Sequence, residues 1–239
     1  MRVEHEHRFL FQVIQEVEQG LLVPAGMQRP YVWREADVLA FCESLTEGLP
    51  VGSLLTWKPK AGLDTGSLAR PRLGPIHLTE IHPHARLILD GQNRLATLAW
   101  MLGGKTPADL SEAEVETWTG RALVIDNEVG GFTFVPEDEV EKGLRVSAAA
   151  CSVRRLQPLL RAGYTRWLAE CFSEAECDEF LNRVSDIIDV VREARVIETV
   201  ISDAHPEEAK RAFLKICRTG VQISDADFDT AMAWLQPAA

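Results

Sequence analysis

Cysteine is scarce and its pattern carries no pairing: Cys42, Cys151, Cys171, Cys177 and Cys217 are odd in number and show no Cys-x-x-Cys spacing. That excludes a disulfide framework and a zinc knuckle, and reduced thiols are expected instead. Long apolar runs are also missing, for no stretch approaches the ~20 residues needed to span a bilayer. The first residues, Met1-Arg2-Val3-Glu4-His5-Glu6-His7, are polar and lack an apolar segment before a small-residue cleavage site. No signal peptide and no membrane association are therefore expected, and a cytoplasmic location is. Positive charge is in deficit, with 25 Lys and Arg against 36 Asp and Glu, a formal net charge of −11. A protein that coats nucleic acid through its overall field is excluded, because phosphate neutralisation needs clustered cations. Two local clusters remain, Lys58, Lys60, Arg70 and Arg72 in one segment and Arg154, Arg155, Arg161 and Arg166 in another. Both read first as solvated surface, so direct DNA binding has weak support.

What is present is ordinary globular chemistry. The 239 residues are 46% hydrophobic and 26% charged, enough for one large domain or two small ones with a substantial core. Phe9, Val13, Ile14 and Val17 recur at helical spacing up to Gly20 and predict a helix over 7–19. A second helix is predicted over 35–47, ending at Gly48, and a buried strand over 53–57 after the Gly48-Leu49-Pro50-Val51-Gly52 turn. Residues 58–75, rich in Gly, Pro and basic residues, read as a mobile connector. Strands follow at 76–78 and 87–89, then a helix with Leu95, Leu98, Ala99 and Leu102 inward. Ser111 and Glu114 form a capping box, and 121–125 with 132–135 form a strand pair. A long amphipathic helix is predicted over 174–193. The β-branched stretch 196–201 reads as a strand able to join the N-terminal sheet, and Pro206 opens a helix through 216. The class is α+β, with residues 1–139 as an α/β core and 140–239 as a mainly helical extension completing the same domain.

The segment with most chemical content is Arg86-Leu-Ile-Leu-Asp90-Gly91-Gln92-Asn93-Arg94-Leu-Ala-Thr97, an apolar strand running through a glycine turn into an amphipathic helix. The first N–H groups of that helix lack intrahelical partners and carry partial positive charge, which is the layout of an anion site. Arg94 adds a planar cation suited to phosphate oxygens, and Asp90 suits a metal ion, a water or a ribose hydroxyl. In an extended Arg29-Pro30-Tyr31-Val32-Trp33 segment, Arg29, Tyr31 and Trp33 would share one side, and the two aromatics read first as packing residues.

Gln28-Arg29-Pro30-Tyr31-Val32-Trp33, Gly48-x-Pro50-x-Gly52-Ser53 and Leu89-Asp90-Gly91-Gln92-Asn93-Arg94-Leu95 together resemble the ParB/sulfiredoxin-like domain at the N-terminus of GmrSD-type restriction enzymes. The signature of that family is Asp-Gly-Gln-Gln-Arg. The segment Phe213 to Ser224 is similar to its closing Phe-x-x-x-Asn-x-x-Gly-x-x-Leu-Ser element. Asn93 stands where the family has a second glutamine, and Cys217 where it has asparagine. The resemblance implies a nucleoside triphosphate site acting in DNA restriction or anti-phage defence. It assigns Asp90, Gln92 and Arg94 as catalytic, and Gln28, Arg29, Gly52, Ser53, Asp90, Gly91, Gln92, Asn93 and Arg94 as nucleotide-binding. Mg²⁺ with the nucleotide is implied, and so is a nuclease or methyltransferase partner protein.

Two functional classes stay open. One is an NTPase, in which Asp90 or Gln92 orients the attacking water. The other is a catalytically inactive regulatory or protein-interaction module that controls a separate nuclease. Nuclease activity of this chain alone is not expected, since neither a His-Asn-His segment nor paired metal-binding carboxylates stand out. Arg94 has a structural alternative, pairing with Asp90 one helical turn back. His77, His82 and His84 match no zinc signature, so no protein-held metal is expected. Glu112, Glu114 and Glu116, and Glu137 to Glu139, read as solvated faces.

Overall fold

Distant parts of the chain supply neighbouring strands of one sheet. The computed structural model describes residues 1–102, 108–126, 131–139, 145–147, 150–152, 186, 189–190 and 193–217. Within them the chain runs β1 (Arg2–Phe9), α1 (Leu10–Glu18), β2 (Leu22–Pro24), α2 (Glu35–Thr46), β3 (Ser53–Pro59), α3 (Thr65–Leu68), β4 (Arg72–Leu73), β5 (Ile76–His77), β6 (Arg86–Asp90) and α4 (Gln92–Leu102). It continues through α5 (Glu112–Trp118), β7 (Arg121–Asp126), β8 (Gly131–Pro136), β9 (Arg145–Ser147), β10 (Ala150–Ser152), β11 (Arg195–Ala204) and α6 (Pro206–Cys217). The class is α+β, as expected.

The main sheet has the order β1-β11-β3-β6-β2, with β11 antiparallel to β1 and parallel to β3. The strand predicted at 196–201 therefore lies inside the sheet. β3 and β6 are buried over Leu54–Trp57 and Leu87–Leu89, so both of their faces are covered and they read as continuous buried runs, apolar but for Thr56, rather than alternations. A second sheet, β8-β7-β10-β9, contains the predicted strand pair in register Arg121↔Pro136 to Asp126↔Gly131. Trp100 of α4 stacks on Trp118 of α5 at 5.4 Å, and Trp118 meets Phe134 of β8 edge-on, joining this sheet to the helices.

Three expectations need correction. Residues 2–9 form a strand and the helix begins only at Leu10, because Val3, His5, His7 and Phe9 alternate with charged residues at period two and pair with β11. The 58–75 stretch is structured: it holds α3 and β4, and Arg72 reaches Glu114 through two parallel 2.8 Å bonds. Glu114, read as solvated, is 1% exposed for that reason. Of the helix predicted over 174–193 the described residues are Asp186, Asp189, Val190 and Glu193, all helical; the rest, with the arginine cluster at 154–166, lies outside the described residues.

The predicted capping box is formed: Ser111 Oγ accepts from Glu114 N, and a Glu114 carboxylate oxygen accepts from Ser111 N. The same hydroxyl donates to the Tyr31 carbonyl at 3.0 Å. Ser111→Ala is therefore expected to cost about 1–2 kcal/mol, read from the urea midpoint, with a cap contribution of ~1 kcal/mol and the remainder from the lost tether. A loss below half a unit on that scale would show the tether to be idle.

A buried charge network crosses the sheet. Glu198 of β11 is fully buried, accepts from Thr56 Oγ1 at 2.7 Å and Arg8 Nη1 at 3.0 Å, and lies 3.0 Å from Arg86 Nε. Glu16 of α1 bridges the same two arginines. Four elements are pinned together by groups whose charges balance.

Candidate functional site

The strand end that opens the site is irregular. Leu55 pairs with Asp90 but Thr56 pairs with Ile88, so Leu89 has no counterpart on β3. A bulge of this kind bends a strand and re-aims its end. The Leu89 carbonyl is taken by the Gln28 side-chain amide, and the Gln28 carbonyl in turn accepts from Arg70. Gly91 then makes the turn into α4 with φ +97°; a Cβ there would lie 2.3 Å from a Leu54 methyl. Glycine is required on both grounds.

Residues 28–33 form no regular element and run across the start of α4 as a strap. Asn93 Oδ1 accepts from Val32 N at 3.2 Å, the Tyr31 hydroxyl bonds Thr97 Oγ1 at 2.8 Å, and Thr117 donates to the Trp33 carbonyl at 3.2 Å. Tyr31 turns into the core, whereas Trp33 stays half-buried and packs its ring at 5.6 Å from Phe41. The three alternate residues thus do not share a side. The strap leaves a cavity of about 270 Å³ lined by Gln28, Arg29, Trp33, Asp90, Gly91, Gln92, Asn93 and Arg94.

Arg94 serves two sides. Its guanidinium donates to the Val51 carbonyl at 3.0 Å and to the Ser53 carbonyl, and lies 3.6 Å from the Asp90 carboxylate. It occupies the space above Gly52, whose φ of +85° and missing Cβ make room for it. Burial pushes this guanidinium below its usual pKa, and Asp90 opposes the shift. Gly52 and Ser53 are not lining residues; they meet the cavity through Arg94. Gln92, the first residue of α4, is 8% exposed, and its side-chain oxygen is buried with no hydrogen-bond partner.

Seven of the nine residues assigned from sequence therefore converge on one cavity. Trp33 was missed as a lining residue, although its place in the Gln28–Trp33 run was the available signal. Arg70 was missed as a support of Gln28, because nothing in sequence links positions 42 residues apart.

Residues 10–233 match the family described as GmrSD restriction endonuclease, N-terminal domain. The chain belongs to that family. Membership ties it to DNA restriction or phage defence, and the match spans the strap, the glycine turn and the last described helix while leaving the whole of β1 outside. No curated protein matches the chain. Among the described residues no helix is long and apolar enough to cross a membrane.

Proposed function

We propose that this chain is a nucleoside triphosphate-binding module of a restriction or phage-defence system, with the cavity between the strap and α4 as its phosphate cradle. The observation that carries the reading is Gln92. Buried polar atoms are nearly always paired, and an unpaired one costs about 1–3 kcal/mol. Gln92 lines the cavity and its side-chain oxygen is buried without a hydrogen-bond partner, while Arg29 and Arg94 line the same cavity at a helix N-terminus. The amide meets a hydroxyl or water through oxygen, or a phosphate oxygen through nitrogen if rotated. Arg29, exposed on the strap, reaches the same space. The ParB/sulfiredoxin-like relationship suggested by the signature residues belongs with this reading.

Mg²⁺ fits the donor set as a passenger on the phosphates. Asp90, 54% exposed at its side chain, is the carboxylate among the lining residues, and Mg²⁺ is commonly held by one or two carboxylates plus substrate phosphates. When bound, the ion neutralises phosphate charge. Asp90 would hold it, Arg29 would clamp phosphate oxygens, and Gln92 would orient a water.

One observation favours the regulatory class over the NTPase. The Arg94 guanidinium is engaged by two backbone carbonyls and Asp90, which leaves fewer donors for charge developing on a transferring phosphate. Ligand occupancy would then set the geometry of the 51–53 turn for a nuclease or methyltransferase partner. Titration calorimetry with the four nucleoside triphosphates and Mg²⁺ tests the site. Arg29→Gln and Gln92→Leu are each expected to weaken binding at least about tenfold, the loss of one charge-assisted hydrogen bond, and Arg94→Ala to abolish it. Absence of binding by the wild type, or unchanged affinity in all three variants, would sink the assignment. Phosphate release over time separates NTPase from sensor.

A further inference from the structure

The cradle contains one surface that phosphate cannot use. Of its lining residues, Gln28, Arg29, Asp90, Gln92, Asn93 and Arg94 are polar and Gly91 is backbone, whereas Trp33 is the aromatic among them. At 270 Å³ the cavity also falls below the ~300–1,000 Å³ typical of sites that enclose a drug-sized ligand. It has room for a phosphate tail but not for an enclosed base as well. Resting on the reading above, we propose that the indole of Trp33 is the platform on which the nucleobase of the bound triphosphate stacks.

Trp33 is held as a platform would need to be. Its carbonyl is fixed by Thr117 and the preceding N–H by Asn93, so the backbone on both sides of its Cα is tied to helices. Phe41 backs the ring at a 56° tilt, which limits rotation, and the side chain remains half-buried rather than absorbed into the core. Tyr31, two residues earlier, shows the alternative fate: it is 3% exposed and bonded to Thr97. The strap thus sends one aromatic inward and leaves the other at the cavity. Every base has a π-face, so such a contact adds affinity for all four nucleotides with little preference of its own.

Comparing each nucleoside triphosphate with inorganic tripolyphosphate, both with Mg²⁺, on the full chain tests the stack separately from the cradle. Wild-type protein is expected to bind nucleotide more tightly than tripolyphosphate. Trp33→Leu should lower nucleotide affinity about tenfold, within the range for loss of one base–aromatic stack, and leave tripolyphosphate affinity unchanged. Trp33→Phe should retain most of the nucleotide affinity, while the quenching of tryptophan emission by bound nucleotide disappears with the indole. That fluorescence arm serves if Trp33→Leu fails to fold, as judged by its thermal transition. Unchanged nucleotide affinity in Trp33→Leu, equal loss for both ligands, or quenching that persists in Trp33→Phe would overturn the stack and leave the phosphate site standing. Wild-type protein that binds neither ligand would remove the site itself.

Discussion

Gly52→Ala is expected to destabilise the protein by about 3–5 kcal/mol and to dismantle the cradle without altering a residue that lines it. The backbone there sits at φ +85°, where a non-glycine residue costs roughly 1–2 kcal/mol. The added Cβ would lie 1.8 Å from Arg94 Nη1, so the guanidinium must leave. Its bonds to the Val51 and Ser53 carbonyls go with it, and a hydrogen bond to a charged group contributes about 1.5–3 kcal/mol. Gly48→Ala supplies the control, since Gly48 has φ +67° but a Cβ added there would meet nothing within 4 Å. Urea denaturation of the two variants separates backbone strain from the clasp. Equal losses would show that Arg94 contributes nothing to the turn.

Glu198→Leu is expected to cost about 3–5 kcal/mol, because removing one partner from a buried ion network leaves the others buried and uncompensated. The carboxylate is fully buried, and Arg8 and Arg86, at 15% and 23% side-chain exposure, would keep only Glu16 as a shared counter-charge. Thr56 Oγ1 would lose its acceptor as well. The exposed pair Arg34–Glu116, at 41% and 63%, supplies the contrast: Glu116→Ala should change stability by less than about 1 kcal/mol. Both are read from chemical denaturation at neutral pH, and a Glu198→Leu loss as small as that of Glu116→Ala would refute the role given to the network.

The difference between these two acidic residues also explains what was legible in the sequence. Helices α2, α4 and α6 and the strand pair β7–β8 followed from periodicity and punctuation, since Val38, Phe41, Cys42 and Leu45 face the core at the spacing the pattern required. The turn at Asp90–Arg94 was legible because glycine, a carboxylate and an arginine at a strand–helix junction have few other uses. Glu114 and Glu198 were not legible. Each sits at a position whose burial depends on an arginine far away in the chain, Arg72 for one and Arg8 with Arg86 for the other, and local pattern holds no record of such partners. β1 failed for a different reason. Its apolar residues share a strand period with a helical one that begins at Phe9, and only the presence of β11 decides between them.

That position of β11 orders the way the molecule is built. Its strand partners are β1, at the beginning of the chain, and β3, so the sheet stays divided until residues 195–204 have been made. The strap, the glycine turn and the start of α4 are all synthesised earlier, beside β6, whose neighbours β3 and β2 are already made, while β3 still lacks β11 on its other side. Closure of the sheet by so distant a segment gives this fold many contacts of long sequence separation, the kind that form late and slowly. The cradle is thus encoded by residues 28–94, but the sheet behind it is closed only when a segment about a hundred residues further on has left the ribosome.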